Sequence, residues 1–121
     1  PSGDWGAYRE IAGAGFYSAA FIRRAVDPLK TAFGQDLAGL ETAAARLNGV
    51  AVGIGDASFE FRVFPKIPVR LVLYAGDDEF PPEASLLFDR SIARMLSPED
   101  IAWLAGMLVY RLIGLSRGTA A

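Results

Sequence analysis

The chain predicts an α+β domain in which an antiparallel sheet of three to four strands packs against helices. Three observations carry that expectation. Apolar residues recur at helical spacing through the first half, the spacing changes to strict alternation after residue 50, and a long apolar helix pattern closes the chain. The length of 121 residues suits one domain over 1–121. Its helical part covers about 4–48, its sheet part about 50–89 and its C-terminal helix about 98–115.

Asp4 is placed to cap a short helix carrying Trp5, Tyr8 and Ile11, which Gly13 and Gly15 interrupt. Phe16, Ala19, Ala20 and Arg23 extend a second helical stretch to Val26. Asp27-Pro28 reads as a restart, because Asp accepts from free backbone donors and Pro fits a first helical turn. Gly34 closes that segment and Asp36 caps the next. Leu37, Leu40, Ala44 and Leu47 form its apolar stripe, ended by Asn48-Gly49, residues that tolerate the left-handed conformation.

The period then becomes two. Val50, Val52 and Ile54 alternate with small residues before a turn at Gly55-Asp56. Phe59, Phe61 and Val63 alternate with polar residues, and Val69, Leu71 and Leu73 follow. They predict an antiparallel hairpin pairing Phe59 with Leu73, Phe61 with Leu71 and Val63 with Val69, with Phe64 to Pro68 as its loop. Pro65 and Pro68 donate no backbone hydrogen bond, which suits a loop. A short strand is expected over Ser85 to Phe88. Ser97 caps the last helix, Pro98 opens it, and Glu99 and Asp100 complement its positive end. Its stripe is Ile101, Leu104, Leu108, Leu112 and Leu115, broadened by Trp103, Met107 and Tyr110. Such a helix is mostly buried, in part by a partner chain.

Composition excludes much chemistry. The chain has no Cys and no His, so thiolate nucleophiles, Ser-His-Asp triads and ordinary zinc sites are impossible within it. A net charge of −2 with scattered basic residues argues against nucleic-acid binding. The longest apolar run, Ile101 to Leu115, contains Arg111 and is too short to span a membrane. No signal-peptide pattern is present, and a cytoplasmic location is the expectation. Apolar residues make up 52% of the chain and charged residues 21%, a balance that favours a packed core and a self-associating face.

Asp77, Asp78, Glu79 and Asp89, with Glu83 between, could bind a divalent cation such as Mg²⁺ or Ca²⁺ through oxygen ligands, or hold one raised pKa for acid/base work. The plainer reading is an acidic turn that fixes backbone geometry. No other cofactor is expected. Phe80-Pro81-Pro82 is stiff and extended, and either docks into a partner's groove or packs Phe80 on its own core. Arg62 and Arg70, with Lys66, could form an anion site or a solvated sheet face with Glu60. Gly49 to Gly55 and Gly13-Ala-Gly15 both fail as dinucleotide fingerprints, since Ser58 and Ser18 stand where the third Gly belongs.

Between Gly53 and Leu112 the chain carries Gly55-Asp56-Ala57, Phe64-Pro65-Lys66-Ile67-Pro68-Val69, Gly76-Asp77-Asp78-Glu79-Phe80-Pro81-Pro82, Leu87-Phe88-Asp89 and Leu96-Ser97-Pro98-Glu99-Asp100. These segments resemble the bacterial and archaeal family called domain of unknown function 3786, the acidic-Phe-Pro-Pro turn before Leu-Phe-Asp being the distinctive part. The resemblance implies no established activity. Some relatives carry a Cys-rich segment, and with no Cys here a cluster-binding role does not carry over.

Three functions follow as expectations. The first is a non-catalytic interaction domain, with a protein partner or a second copy bound. The second is a carboxylate-based metal site or hydrolase at the acidic turn. The third is a small-molecule or anion-binding module in a sheet–helix crevice, anchored by Arg62 or Arg70.

Overall fold

Alternating apolar residues turn one face of the central strands to the core, and in the computed structural model, which describes residues 3–64 and 67–117, the strands line up into a single antiparallel sheet. Five strands form it: β1 (Trp5–Ala7), β2 (Val50–Ala51), β3 (Ala57–Phe64), β4 (Ile67–Tyr74) and β5 (Glu83–Asp89), in the order β1-β5-β4-β3-β2. Phe61, Val69, Leu71, Leu73, Leu86 and Phe88 are buried in the core. The α+β class and the closing helix are as the sequence predicts. The sheet has five strands rather than three to four.

The strand beyond the expected set is β1; it and β2, the remnant of the alternation at Val50, are short and lie at the edges. Trp5 to Ala7, expected as a helix, pairs instead with β5, Gly6 opposite Phe88. The helical spacing of Trp5 and Tyr8 yields because β5 would otherwise expose a row of unpaired backbone groups. Gly6 also leaves room for the Arg90 guanidinium, 3.1 Å from where a Cβ would stand. β2 is two residues long. Val52 and Ile54 belong to a returning loop, where Ile54 N donates to the buried Ser58 hydroxyl at 2.7 Å.

The hairpin forms with a register two residues from the expected one: Phe59 faces Leu71 and Phe61 faces Val69. A shift of two preserves which side chains face the core, so alternation alone does not select between the registers. β3 and β4 run to Phe64 and from Ile67, leaving a tighter connection than the expected Phe64–Pro68 loop. Pro68 lies in β4 opposite Arg62, beside an irregularity between Arg62 and Phe64, where a missing ladder donor is tolerated. Pro65 and Lys66 fall outside the described residues.

The helices are α1 (Ser18–Phe21), a π segment (Ile22–Val26), α2 (Asp27–Phe33), α3 (Leu37–Arg46) and α4 (Pro98–Ser116). Asp27-Pro28 does not restart the chain, which stays helical from Ser18 to Phe33. Pro28 cannot donate to the Arg24 carbonyl and its ring would press on it, and the wider π turn accommodates both demands. The buried residues are Phe21, Ala25, Leu29 and Phe33. That strict spacing of four would drift about 40° per step around an ideal helix, and the π turn reduces the drift. Phe16, expected on the same stripe, sits on a preceding 3-10 turn and is exposed. Asp36 caps α3 by accepting from Gly39 N at 2.9 Å, and Asn48 ends that segment at φ 58°.

Ser97 caps α4, its hydroxyl accepting from Asp100 N at 3.1 Å. The predicted stripe Ile101, Leu104, Leu108, Leu112 and Leu115 is buried, and so is a second face of Ala102, Ala105, Gly106, Val109 and Ile113. The nearest backbone neighbours of α4 are helices: α3 on one flank and the α1–π–α2 helix on the other. At Gly106 an added Cβ would stand 3.3 Å from the Arg24 carbonyl oxygen, so the π segment and α4 approach backbone to backbone. Trp103, Met107 and Tyr110 do not broaden the buried stripe; they form a separate exposed one. No helix among the described residues is long and apolar enough to cross a membrane.

These two stripes should separate in denaturation experiments. Leu108→Ala is expected to cost about 2–5 kcal/mol and Trp103→Ser less than about 1 kcal/mol. Equal costs would contradict the placement of the two residues.

Candidate functional site

The acidic turn links β4 to β5, and its base is held by backbone packing. Gly76 N donates to Gly34 O at 3.1 Å, and Pro82 lies so close to both glycines that a Cβ on either would stand 2.6 Å from its ring. The turn is therefore fastened to the end of α2. Its first carboxylate works locally: Asp77 Oδ1 accepts from Glu79 N at 2.8 Å and Phe80 N at 2.7 Å. Those two amides, Phe80 first, hold the Asp77 carboxyl below its ordinary value. Asp78 and Glu79 are exposed, and Phe80 stands 66% exposed at the tip rather than packed on the core.

Asp89 lies at the other end of β5, six residues from Glu83 and so about 20 Å from the turn. It is 1% exposed. Its oxygens accept from Gly3 N at 2.7 Å and Ser91 N at 3.0 Å, fixing the N-terminal strand and the 3-10 turn Arg90–Arg94. The four acidic candidates are thus divided between opposite ends of a strand. Among the described residues no three carboxylates converge to hold a metal ion.

The two candidate arginines are also separated. Val50, Glu60, Arg70, Leu87 and Ala7 form one row across all five strands, on the face that alternation turns away from the core. There Arg70 pairs with Glu60 at 3.0 Å and lies 4.0 Å over the Trp5 ring. Arg62 instead borders an open groove of about 590 Å³ between β3, the end of α3 and α4. Leu47, Phe61, Val63, Met107, Leu108 and Tyr110 supply its apolar lining. Its charged lining is Arg62 and Arg111, with no carboxylate, in a chain whose net charge is −2.

Met107 and Tyr110 continue beyond the groove into the exposed stripe of α4. Trp103 is 58% exposed, Met107 43% and Tyr110 59%. Sequence reading missed this surface because it assigned all three to the buried stripe. A signal was present: Asp100, Trp103, Met107, Tyr110, Gly114 and Arg117 follow steps of three and four, the spacing of a second helix seam. The start of α4 is held in place by the Tyr8 hydroxyl, which donates to Pro98 O at 2.7 Å, and its far end by Arg46, which donates to Leu115 O at 3.2 Å. Tyr8 itself stacks on Phe21 at 4.2 Å, and burial, reinforced by Tyr17 and Glu99, raises its pKa.

The architecture is an α+β domain with an antiparallel sheet and a closing helix that exposes an aromatic stripe beside an apolar groove. The chain belongs to the family described as Domain of unknown function (DUF3786), whose model matches residues 1–111. Comparison with curated proteins and with solved structures returned no match.

The Asp77 geometry has a measurable consequence. A carboxyl with a depressed folded-state pKa stabilises fully above its ordinary value, 3.8 here, and loses that contribution as the pH falls through the folded value. Asp77→Asn keeps an oxygen acceptor without a titrating charge, so it should flatten the loss of stability in acid. An unchanged pH profile, followed by chemical denaturation, would show that Asp77 does not hold the turn in this way.

Proposed function

We propose that this chain is a non-catalytic interaction domain, an accessory that works by binding a protein partner. The observation that supports the reading best is the apolar groove continuous with Trp103, Met107 and Tyr110. Trp, Tyr, Met and Arg are the residue types enriched where interfaces bury their energy. An exposed apolar patch of this kind on a small domain marks an interaction site more often than an accident of sequence. The carboxylates point the same way, because Asp77 and Asp89 are spent on backbone amides. Phe80 and Pro81 offer a second docking point, exposed on a stiff turn that Pro82 anchors.

A second reading, a small-molecule or anion-binding module, is favoured by the groove's size and its two arginines. The volume is in the range that ligand pockets occupy. Arg62 would be its anchor, since it borders the groove and Arg70 lies elsewhere on the sheet. A divalent-cation or hydrolytic site at Asp77, Asp78 and Glu79 would have to recruit further ligands from outside the turn.

The interaction reading is tested in the cells that make the protein. A photo-crosslinking phenylalanine analogue is placed at Met107 or Tyr110 and, as a control, at Thr42 on the exposed face of α3. Discrete protein adducts are expected from Met107 and Tyr110 and none from Thr42. No adduct from either α4 position, in chains that fold and accumulate normally, would sink the reading.

A further inference from the structure

We infer that the exposed face of α4 pairs antiparallel with the same face of a second copy of this chain. The inference rests on the interaction reading above and names its partner. Three features of the helix support it.

The first is the order of side chains along the exposed seam. Glu99 and Asp100 stand at its start, Trp103, Met107 and Tyr110 in its middle, and Arg111 and Arg117 at its end. A seam acidic at one end, apolar in the centre and basic at the other is complementary to itself when reversed. A parallel partner of the same sequence would set like charges against each other.

The second is that Asp100 and Arg111 have no ion-pair partner among the described residues. The two are eleven residues apart, about 16 Å along the helix axis, too far to meet.

The third is shape. A two-fold axis passing beside Ala105 and Gly106 sets Asp100 of each copy opposite Arg111 of the other. The same rotation sets Trp103 opposite Met107 and Leu108, both of which line the groove. The largest exposed side chain of one copy then meets the concavity of the other, and it does so twice, as an isologous interface requires. Antiparallel pairs of helices with a three–four seam pack at a shallow angle, which keeps this contact along the whole stripe.

The test exploits the two-fold. Asp100→Arg places two arginines at each contact and Arg111→Asp two carboxylates, so either variant alone should be monomeric. Mixed in equal amounts, the two variants can pair with each other. One chain then supplies an arginine to both contacts and the other an aspartate to both, so opposite charges meet twice and the dimer should return. Sedimentation velocity on the full chain, in a concentration series reaching about 1 mM, reads the equilibrium. Each single variant should weaken dimerisation by at least about tenfold and the mixture should recover most of it. Circular dichroism and thermal melts confirm that the monomeric variants are folded, and Arg111→Asp is the variant that leaves the N-terminal turn of α4 intact. A wild-type chain that stays monomeric throughout overturns the inference while leaving the interaction reading to its crosslinking test. Dimers that survive both swaps overturn it by placing the contact elsewhere. A mixture that stays monomeric overturns the antiparallel register.

Discussion

The enclosure of α4 governs the arrangement of everything around it. Its buried residues cover more than half of its circumference, which a single flat layer cannot do. They are enclosed because α3 flanks the helix on one side and the α1–π–α2 helix on the other. The two ends are secured by polar contacts from distant segments, Tyr8 to Pro98 and Arg46 to Leu115. What remains outside the enclosure is one stripe, and the sequence places its largest aromatics there. The candidate surface is therefore a direct result of the packing: the same contacts that bury the leucines leave Trp103, Met107 and Tyr110 facing out.

Pro28 has a role in that enclosure beyond its own turn. By denying Arg24 its helical hydrogen bond it favours a π turn, and the π turn keeps Phe21, Ala25, Leu29 and Phe33 directed inward at a spacing an α-helix would rotate. The Arg24 carbonyl then lies against Gly106, the position on α4 where a side chain would be tight. Proline in one helix and glycine in another thus act as a matched pair, one altering backbone geometry and the other making room for it.

The acidic Phe-Pro-Pro turn shows how a distinctive motif can divide its labour. Gly76 and Pro82 anchor it to Gly34, and Asp77 folds its tip by accepting from two amides. The motif's conformation is accounted for by packing and local hydrogen bonds. Phe80 alone is left over, an exposed ring at the end of a rigid support. Asp89, grouped with the turn by proximity in sequence, is a buried structural carboxylate at the opposite end of β5.

Local chemistry made much of this legible. Ser97-Pro98, Asp36 and Asn48-Gly49 marked helix boundaries through capping and left-handed backbone, and alternation in β3 and β4 told which side chains face the core. These signals involve neighbours in the chain, so most element types, the buried stripe of α4 and the exclusion of cysteine and histidine chemistry could be read without a fold. Whatever depends on distant partners was settled only in three dimensions. The hairpin register shifted by two because both pairings bury the same faces. Trp5 to Ala7 became a strand because the edge of β5 needed a partner, and the helix ran through Asp27-Pro28 without a break because the π segment Ile22–Val26 ahead of it, packed against α4, absorbed the proline. Trp103, Met107 and Tyr110 stayed exposed because the neighbouring helices reach two sides of α4 and stop. Hydrophobicity states that a side chain gains by burial; only the arrangement of the other elements states whether anything is there to bury it.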